Sequence, residues 1–271
     1  MLKNLLIVGA LCLALAACQS SEQKAEKHYQ NALALMAEGD EARAMIELRN
    51  VFLLNGQHRE ARKLYAATAR AEGNLREAIG QFLLLVEQYP DDLEGNQALA
   101  EMALASGDLS GARKHLDAAQ AVAPEAPALR AMESFLDYVR ARQDNDTTAS
   151  DAALTLANQV LRQDDTQFFA RQVLIQNSID TQDWNGALDQ IEIALGQTPD
   201  RLELYRIKLV VLSAFKDDSA IDATLQEMAR RFPKDQTVDQ LLVGWYVQNN
   251  RLDGAEAWLR QQIDPAAEDP A

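Results

Sequence analysis

The chain contains few of the side chains from which catalytic and metal sites are usually built. Its 271 residues include three histidines, His28, His58 and His115, and two cysteines. None of the nine serines lies in the Gly-x-Ser-x-Gly turn that exposes the nucleophile of many hydrolases. So few nitrogen and sulfur ligands favour neither a metal site nor a catalytic triad. We therefore expect no enzymatic activity, no metal and no dissociable cofactor.

The acidic stretch 143–150 begins like a calcium-binding loop, because Asp144 and Asp146 place carboxylates at alternate positions. Such a loop needs a glycine at its sixth position and a glutamate at its twelfth. Ala149 and Thr155 stand at those positions instead. We therefore predict that residues 143–150 form a solvated loop and not a calcium site.

The net charge excludes one class of partner. The chain has 41 acidic and 26 basic residues, so its formal charge at pH 7 is −15. A field of that sign repels a phosphate backbone, and we expect no nucleic-acid partner. Hydrophobic residues make up 48% of the chain, which is typical of a folded globular protein.

One cysteine, Cys18, has a context that predicts covalent chemistry. Lys3 precedes an unbroken apolar run, residues 5–17, which as a helix would span only about 20 Å of a bilayer core of about 30 Å. A cation followed by a short apolar run is typical of a secretory signal. The run ends in Leu15-Ala16-Ala17-Cys18, which resembles the lipobox of bacterial lipoproteins.

That resemblance implies that residues 1–17 are a cleaved signal peptide and that Cys18 carries a covalent lipid. Residues 18–24 would then be a short tether, holding the folded part close to the membrane. Gln19 follows the cysteine, and by the same resemblance it implies the periplasmic face of the outer membrane. Two alternatives remain: a signal peptide that happens to end near a cysteine, and an uncleaved anchor.

The rest of the chain repeats every 34 residues. Gly39, Gly73 and Gly107 have this spacing, and an alanine follows each of them five residues later. Pro90 and Pro124 are also 34 residues apart, as are two later prolines. A glycine turn, an alanine and a terminal proline in a period of 34 resemble the tetratricopeptide repeat.

The resemblance implies an all-α, right-handed superhelical solenoid of about seven helix-turn-helix hairpins. Copies 1–3 occupy residues 25–126, an overlong copy 4 with the inserted loop 143–150 occupies 127–167, and copies 5–7 occupy 168–263. Residues 264–271 form an acidic tail. A four-helix bundle is the alternative fold, and a hinge at the inserted loop is the alternative to a plain solvated loop.

In this repeat family the first helix of each copy lines a concave groove that binds a partner segment. Mapping the usual inward positions onto the chain gives a set of candidate partner-binding residues, namely Tyr29, Lys63, Arg70, Gln97, Phe135, Tyr138, Phe169, Gln172, Gln176 and Arg206. Phe135, Tyr138 and Phe169 could form an exposed aromatic patch that anchors a peptide or a sugar chain. The alternative is that these rings pack around the inserted loop.

Repeat lipoproteins of this kind resemble pilus-assembly, barrel-assembly and exopolysaccharide-system (PrsT-type) lipoproteins. Residues 44–50 and 60–62 are most similar to the opening copy of the last group. The resemblance implies a scaffold at the outer membrane, anchored by lipid and binding another envelope protein. The alternative is an accessory protein that handles polysaccharide during its secretion.

Overall fold

The computed structural model describes residues 20–233 and 235–263, and their regular structure is entirely α-helical. Cys18, the predicted signal peptide (residues 1–17) and the predicted acidic tail (residues 264–271) lie outside the described residues. The described helices are α1 Ser21–Ala37, α2 Glu41–Leu54, α3 Arg59–Ala71, α4 Leu75–Gln88, α5 Leu93–Ser106, α6 Leu109–Val122, α7 Pro127–Asp144, α8 Thr147–Gln163, α9 Phe168–Asp180, α10 Trp184–Gln197, α11 Leu202–Phe215, α12 Asp218–Arg231, α13 Gln236–Gln248 and α14 Leu252–Ile263.

Odd-numbered helices are the first helices of successive hairpins, and even-numbered helices are the second. From α3 onward, each first helix begins at the residue where the 34-residue pattern begins a copy. The fold is therefore a helical-repeat solenoid and not a four-helix bundle. No helix among the described residues is both long enough and apolar enough to cross a bilayer.

The first helix begins earlier than the pattern indicated, at Ser21 and not at Ala25. Ser20 caps it: its hydroxyl accepts from the backbone N–H of Gln23, whose side chain accepts from the backbone N–H of Ser20. This reciprocal capping box satisfies two backbone donors that would otherwise lack partners. The prediction that residues 18–24 form a short tether ahead of the first helix is therefore wrong from Ser20 onward.

Tight turns join the helices of each of the first three hairpins. Gly39, Gly73 and Gly107 adopt φ values of 77–78°, a left-handed conformation that glycine enters without steric cost. The next residue in each turn caps the second helix; Asp40, for example, accepts from the backbone N–H of Arg43 at 3.0 Å. In later copies Gln182 and Lys216 take the same left-handed conformation, with φ of 59° and 56°.

The overlong fourth copy has no inserted loop, so the prediction for residues 143–150 is wrong. Only Asn145 and Asp146 separate α7 from α8. Asn145 has φ of 55°, and the Asp146 carboxylate caps α8 by accepting from the backbone N–H of Ala149. The extra residues lengthen both helices, to 18 and 17 residues. Because the stretch contains neither glycine nor proline, nothing in it ends a helix except this two-residue turn.

Small side chains allow the paired helices to approach each other. In copies 1 to 4, the small residue at the equivalent position of the first helix is completely or almost completely buried, namely Ala32, Ala66, Ala100 and Ser134. Their counterparts on the second helices are buried as well, namely Ala44, Ala78, Ala112, Ala153, Ala187, Ile221 and Ala255. Exclusion of water by these close contacts stabilises the pairing of the two helices.

The chain divides into two compact units within α7, after Met132. In the first unit, Leu48, Val51 and Tyr65 belong to one buried cluster, and Phe82 and Leu85 to another. In the second unit one buried cluster extends from Ile175 to Ala255, with Trp184, Trp245 and Trp258 packed against it. All three tryptophans therefore pack against the core.

Candidate partner-binding surface

A cavity of about 700 Å³ lies between α3 and α5, the first helices of copies 2 and 3. We call it the groove cavity. Three of the ten predicted partner-binding residues, Lys63, Arg70 and Gln97, line it. The other lining residues are Arg59, Ala67, Ala71, Phe82, Asp92, Leu93, Glu94, Ala98 and Glu101.

Three ion pairs cross from one wall of the groove cavity to the other. Arg59 Nε lies 2.6 Å from Asp92 Oδ2, and Arg70 Nη2 lies 2.7 Å from Glu101 Oε2. Between them, Lys63 Nζ lies 2.9 Å from Glu94 Oε2. The hydrogen bond to Glu94 raises the pKa of Lys63 above its usual value, although burial opposes that shift. One wall is therefore cationic and the other anionic.

The arrangement can orient a bound segment by charge as well as by shape. The α3 wall presents positive side chains and the α5 wall presents negative ones, with the small side chains of Ala67 and Ala98 among them. Gln97 Nε2 donates to Glu101 Oε1 at 3.1 Å, which fixes the carboxylate that Arg70 also contacts. Side chains already held in one geometry lose less conformational entropy when a partner binds.

The predicted aromatic patch is present only in part. The ring centroids of Phe135 and Phe169 are 5.6 Å apart, and both residues are half-buried. The ring of Phe168, which is not among the ten predicted partner-binding residues, is also 5.6 Å from that of Phe169, and the Arg201 guanidinium lies 3.6 Å from the centroid of the Phe168 ring. Aromatic rings at such separations stabilise one another.

Tyr138 does not belong to this exposed patch, contrary to the prediction. It is 2% exposed, and its hydroxyl donates to Asp180 Oδ2 at 2.9 Å. Arg142 Nε lies 2.7 Å from the same carboxylate oxygen. Burial, followed by the hydrogen bond to Asp180, raises the pKa of Tyr138 well above its usual value. Its ring is a packing residue, because the lengthened α7 brings it against α9.

The other predicted residues are distributed along the chain and do not form a single site. Gln172 is buried, and its Nε2 donates to Glu203 Oε1 at 2.9 Å, so it does not present a free amide. Gln176 is exposed and donates to Asp180 Oδ1 at 3.1 Å. Arg206 is exposed, and Tyr29 is half-buried with its ring 4.8 Å from that of His58.

A polar bond that none of the sequence patterns predicted recurs within the hairpins. In five copies the fourth residue of the 34-residue pattern bonds a residue 19 positions later on the second helix. The pairs are His28–Glu47, Arg62–Gln81, Asn96–His115, Arg171–Gln190 and Asp239–Trp258. The constant spacing is a signal that the sequence carried, although the residue types differ.

Two of the three histidines are used in these pairs, and the third, His58, contacts Glu26. Among residues 20–233 and 235–263 there is no group of three or more His, Cys, Asp and Glu side chains placed to hold a metal ion.

No family model and no curated protein matches the chain. Solved structures do match it. A tetratricopeptide repeat protein from Parabacteroides merdae aligns with a TM-score of 0.60 and 11% identity, over 91% of this chain and 95% of that one. The type IV pilus biogenesis factor PilW aligns with a TM-score of 0.54 and 13% identity, over 80% of this chain and 98% of PilW.

A third match is to the APC/C hetero-tetramer Cut9–Hcn1, with a TM-score of 0.60 and 14% identity. It covers 81% of this chain but 42% of the matched one, so this chain spans less than half of that protein. At these identities the likeness concerns the fold alone. The chain therefore has the fold of tetratricopeptide-repeat proteins and resembles, among them, a protein of pilus assembly.

Proposed function

We propose that the chain is an outer-membrane lipoprotein of the periplasmic face that binds another envelope protein in the groove cavity. The observation that carries the proposal is the pair of oppositely charged walls formed by α3 and α5. Three cross-wall ion pairs hold these side chains in place without a ligand, so the cavity is preorganised. The lipobox ending at Cys18 supports the anchor and the location.

The likeness to other repeat proteins supports a scaffold function. PilW is described as a pilus biogenesis factor, and Cut9 is found in a complex with Hcn1. Repeat solenoids of this type expose long surfaces to partners while their cores are buried between neighbouring copies. A partner of this chain would present acidic side chains toward the α3 wall and basic side chains toward the α5 wall.

The polysaccharide alternative is weaker than the sequence suggested. It depended on three aromatic rings exposed together, and Tyr138 is buried. Phe135 and Phe169 pack against each other at 5.6 Å, which leaves each with less free ring surface for a sugar. Polysaccharide binding is therefore an outcome of the test and not the proposal.

Photo-crosslinking in living cells tests the site. A photoreactive residue replaces Ala67, which is exposed and lines the groove cavity. The control carries it at Arg76, which is exposed on α4 and does not line the cavity. We expect one dominant envelope protein to be captured from position 67 only. Equal capture from both positions, or co-purifying polysaccharide without a protein adduct, would contradict the proposal.

A charge exchange tests the role of the two walls. The double variant Arg70→Glu with Glu101→Arg retains an ion pair but reverses its polarity. If the partner recognises the sign of each wall, this variant loses capture from position 67 although it folds normally. Unchanged capture would show that these charges do not contribute to recognition.

A further inference from the structure

The first hairpin has one end close to the proposed lipid anchor, and an exposed apolar side chain lies at that end. Helices α1 and α2 are antiparallel neighbours joined by the turn at Gly39, so the start of α1 and the end of α2 lie at the same end. The contact between Glu26 and His58 brings the loop after α2 to the second turn of α1. We call residues 20–27 and 53–58 together the anchor end.

The chain between the anchor and this end is very short. Helix α1 begins at Ser21, and Ser20 is already fixed as its cap. Two residues, Gln19 and Ser20, separate Cys18 from Ser21, and the three residue steps from Cys18 to Ser21 reach about 10 Å when the chain is fully extended. If Cys18 is acylated, the anchor end is therefore held at the lipid surface and cannot move away from it.

Leu53 projects from the anchor end. It is 84% exposed, the highest value among the large apolar side chains of the described residues. The transfer of an apolar side chain from water into the membrane interface lowers the free energy of the system. If the anchor end is held at the membrane, the bilayer is therefore the nearest apolar environment that Leu53 can enter.

The charge distribution of the hairpin favours the same orientation. In the anchor end, Lys24 and Lys27 balance Glu22 and Glu26. The opposite end, residues 38–43, contains three carboxylates and one arginine. Phospholipid surfaces that contain anionic lipids repel negative charge, and the whole chain carries −15. An anionic membrane surface therefore repels the anchor end less than it repels the opposite end of the hairpin.

From these observations we infer that the anchor end docks on the phospholipid surface and that Leu53 inserts into it. The inference rests on the proposed acylation of Cys18 and adds a second point of attachment. Acyl chains alone leave the protein free to rotate about its tether. Contact through Leu53 would fix the orientation of the first hairpin relative to the membrane.

The test measures how deep a label lies in the membrane. Leu53→Cys is labelled with a nitroxide in the acylated full-length mature protein on phosphatidylethanolamine and phosphatidylglycerol vesicles. Under the proposed function the new thiol is the only free one, because residues 1–17 are removed with Cys12 and Cys18 carries lipid. The matched control is Leu75→Cys, since Leu75 is also an exposed leucine, 53% accessible, but begins α4 at the opposite end of its hairpin.

We expect the label at position 53 to be several-fold less accessible to a water-soluble nickel complex than the label at 75, and more accessible to oxygen dissolved in the bilayer. Equal accessibility at the two positions in protein that floats with the vesicles would overturn the inference while leaving the anchor intact. Absence of acyl chains on Cys18 by mass spectrometry would overturn the proposed anchor, and the inference with it.

Discussion

Arg62 of α3 donates from Nη1 to the side-chain oxygen of Gln81 on α4 at 2.6 Å, and from Nη2 to the backbone carbonyl of Gly56. Arg171 makes the same two bonds three copies later, to Gln190 and to the carbonyl of Asp165. Each buried guanidinium thus joins both helices of its hairpin to the loop that precedes it.

Replacing Arg62 should therefore lower the stability of the folded protein. Arg62→Met removes both bonds of a buried guanidinium, to the side-chain oxygen of half-buried Gln81 and to the Gly56 carbonyl, and we expect a loss of about 2 kcal/mol in unfolding free energy. Urea denaturation followed by circular dichroism measures it. Arg76→Met, at an exposed position, is the control and should change stability by less than about 0.5 kcal/mol. Similar midpoints for the two variants would contradict the structural role of Arg62.

Two glycines in the second copy should respond to alanine with opposite signs. Gly73 has φ of 78°, so Gly73→Ala forces a left-handed conformation and should destabilise the protein by about 1 kcal/mol. Gly80 lies inside α4, and an added Cβ would meet nothing within 4 Å. Gly80→Ala should therefore stabilise the protein by up to about 1 kcal/mol. Thermal unfolding of both variants checks the pair, and a shift of the same sign in both would refute it.

His115 should make stability depend on pH. It is buried and bonds Asn96 at 3.1 Å; burial, with a smaller contribution from Lys114, lowers its pKa below 6.5. Between the folded pKa and 6.5 the unfolded chain binds more protons than the folded chain does. The contribution of His115 to the free energy of unfolding is therefore fully present above about pH 6.5, and it decreases as the pH falls below that value.

The measurement compares urea midpoints at pH 7.5 and pH 5.5 for the natural chain and for His115→Gln. We expect the decrease between the two pH values to be smaller in the variant, because its amide does not titrate. Equal decreases would assign the pH dependence to other groups.

Tyr138 should behave as a packing residue. Tyr138→Phe removes the bond to Asp180 but keeps the ring, so we expect a loss of about 1 kcal/mol of unfolding free energy and no loss of partner capture from position 67. Loss of capture without loss of stability would instead restore Tyr138 to the binding surface.

Cys18→Ser tests the anchor. Without a thiol to acylate, the protein should leave the membrane fraction of cells and appear in the soluble periplasmic fraction. A variant that still sediments with the outer membrane would show that another contact is the main attachment.

Much of the fold followed from local and periodic features of the sequence. Gly73 marks a turn because few other residues adopt a left-handed conformation without strain, and Asn74 marks a helix start because its side chain caps backbone N–H groups. Ala66 and Ala78 mark a close helix contact by their size alone. Each of these signals depends only on one residue and its neighbours in the chain. Their recurrence every 34 residues is what allowed them to be recognised in the sequence.

The sequence by itself therefore determined the helical repeats, their phase and the turns between most of them. Only the tertiary structure decided that residues 143–150 lengthen two helices, that Tyr138 is buried against Asp180, and that Lys63 faces Glu94 across a cavity. These outcomes depend on which side chains from different helices meet and how much water they exclude. The spacing of residues along one chain does not specify those distances, because the packing of neighbouring repeats sets them.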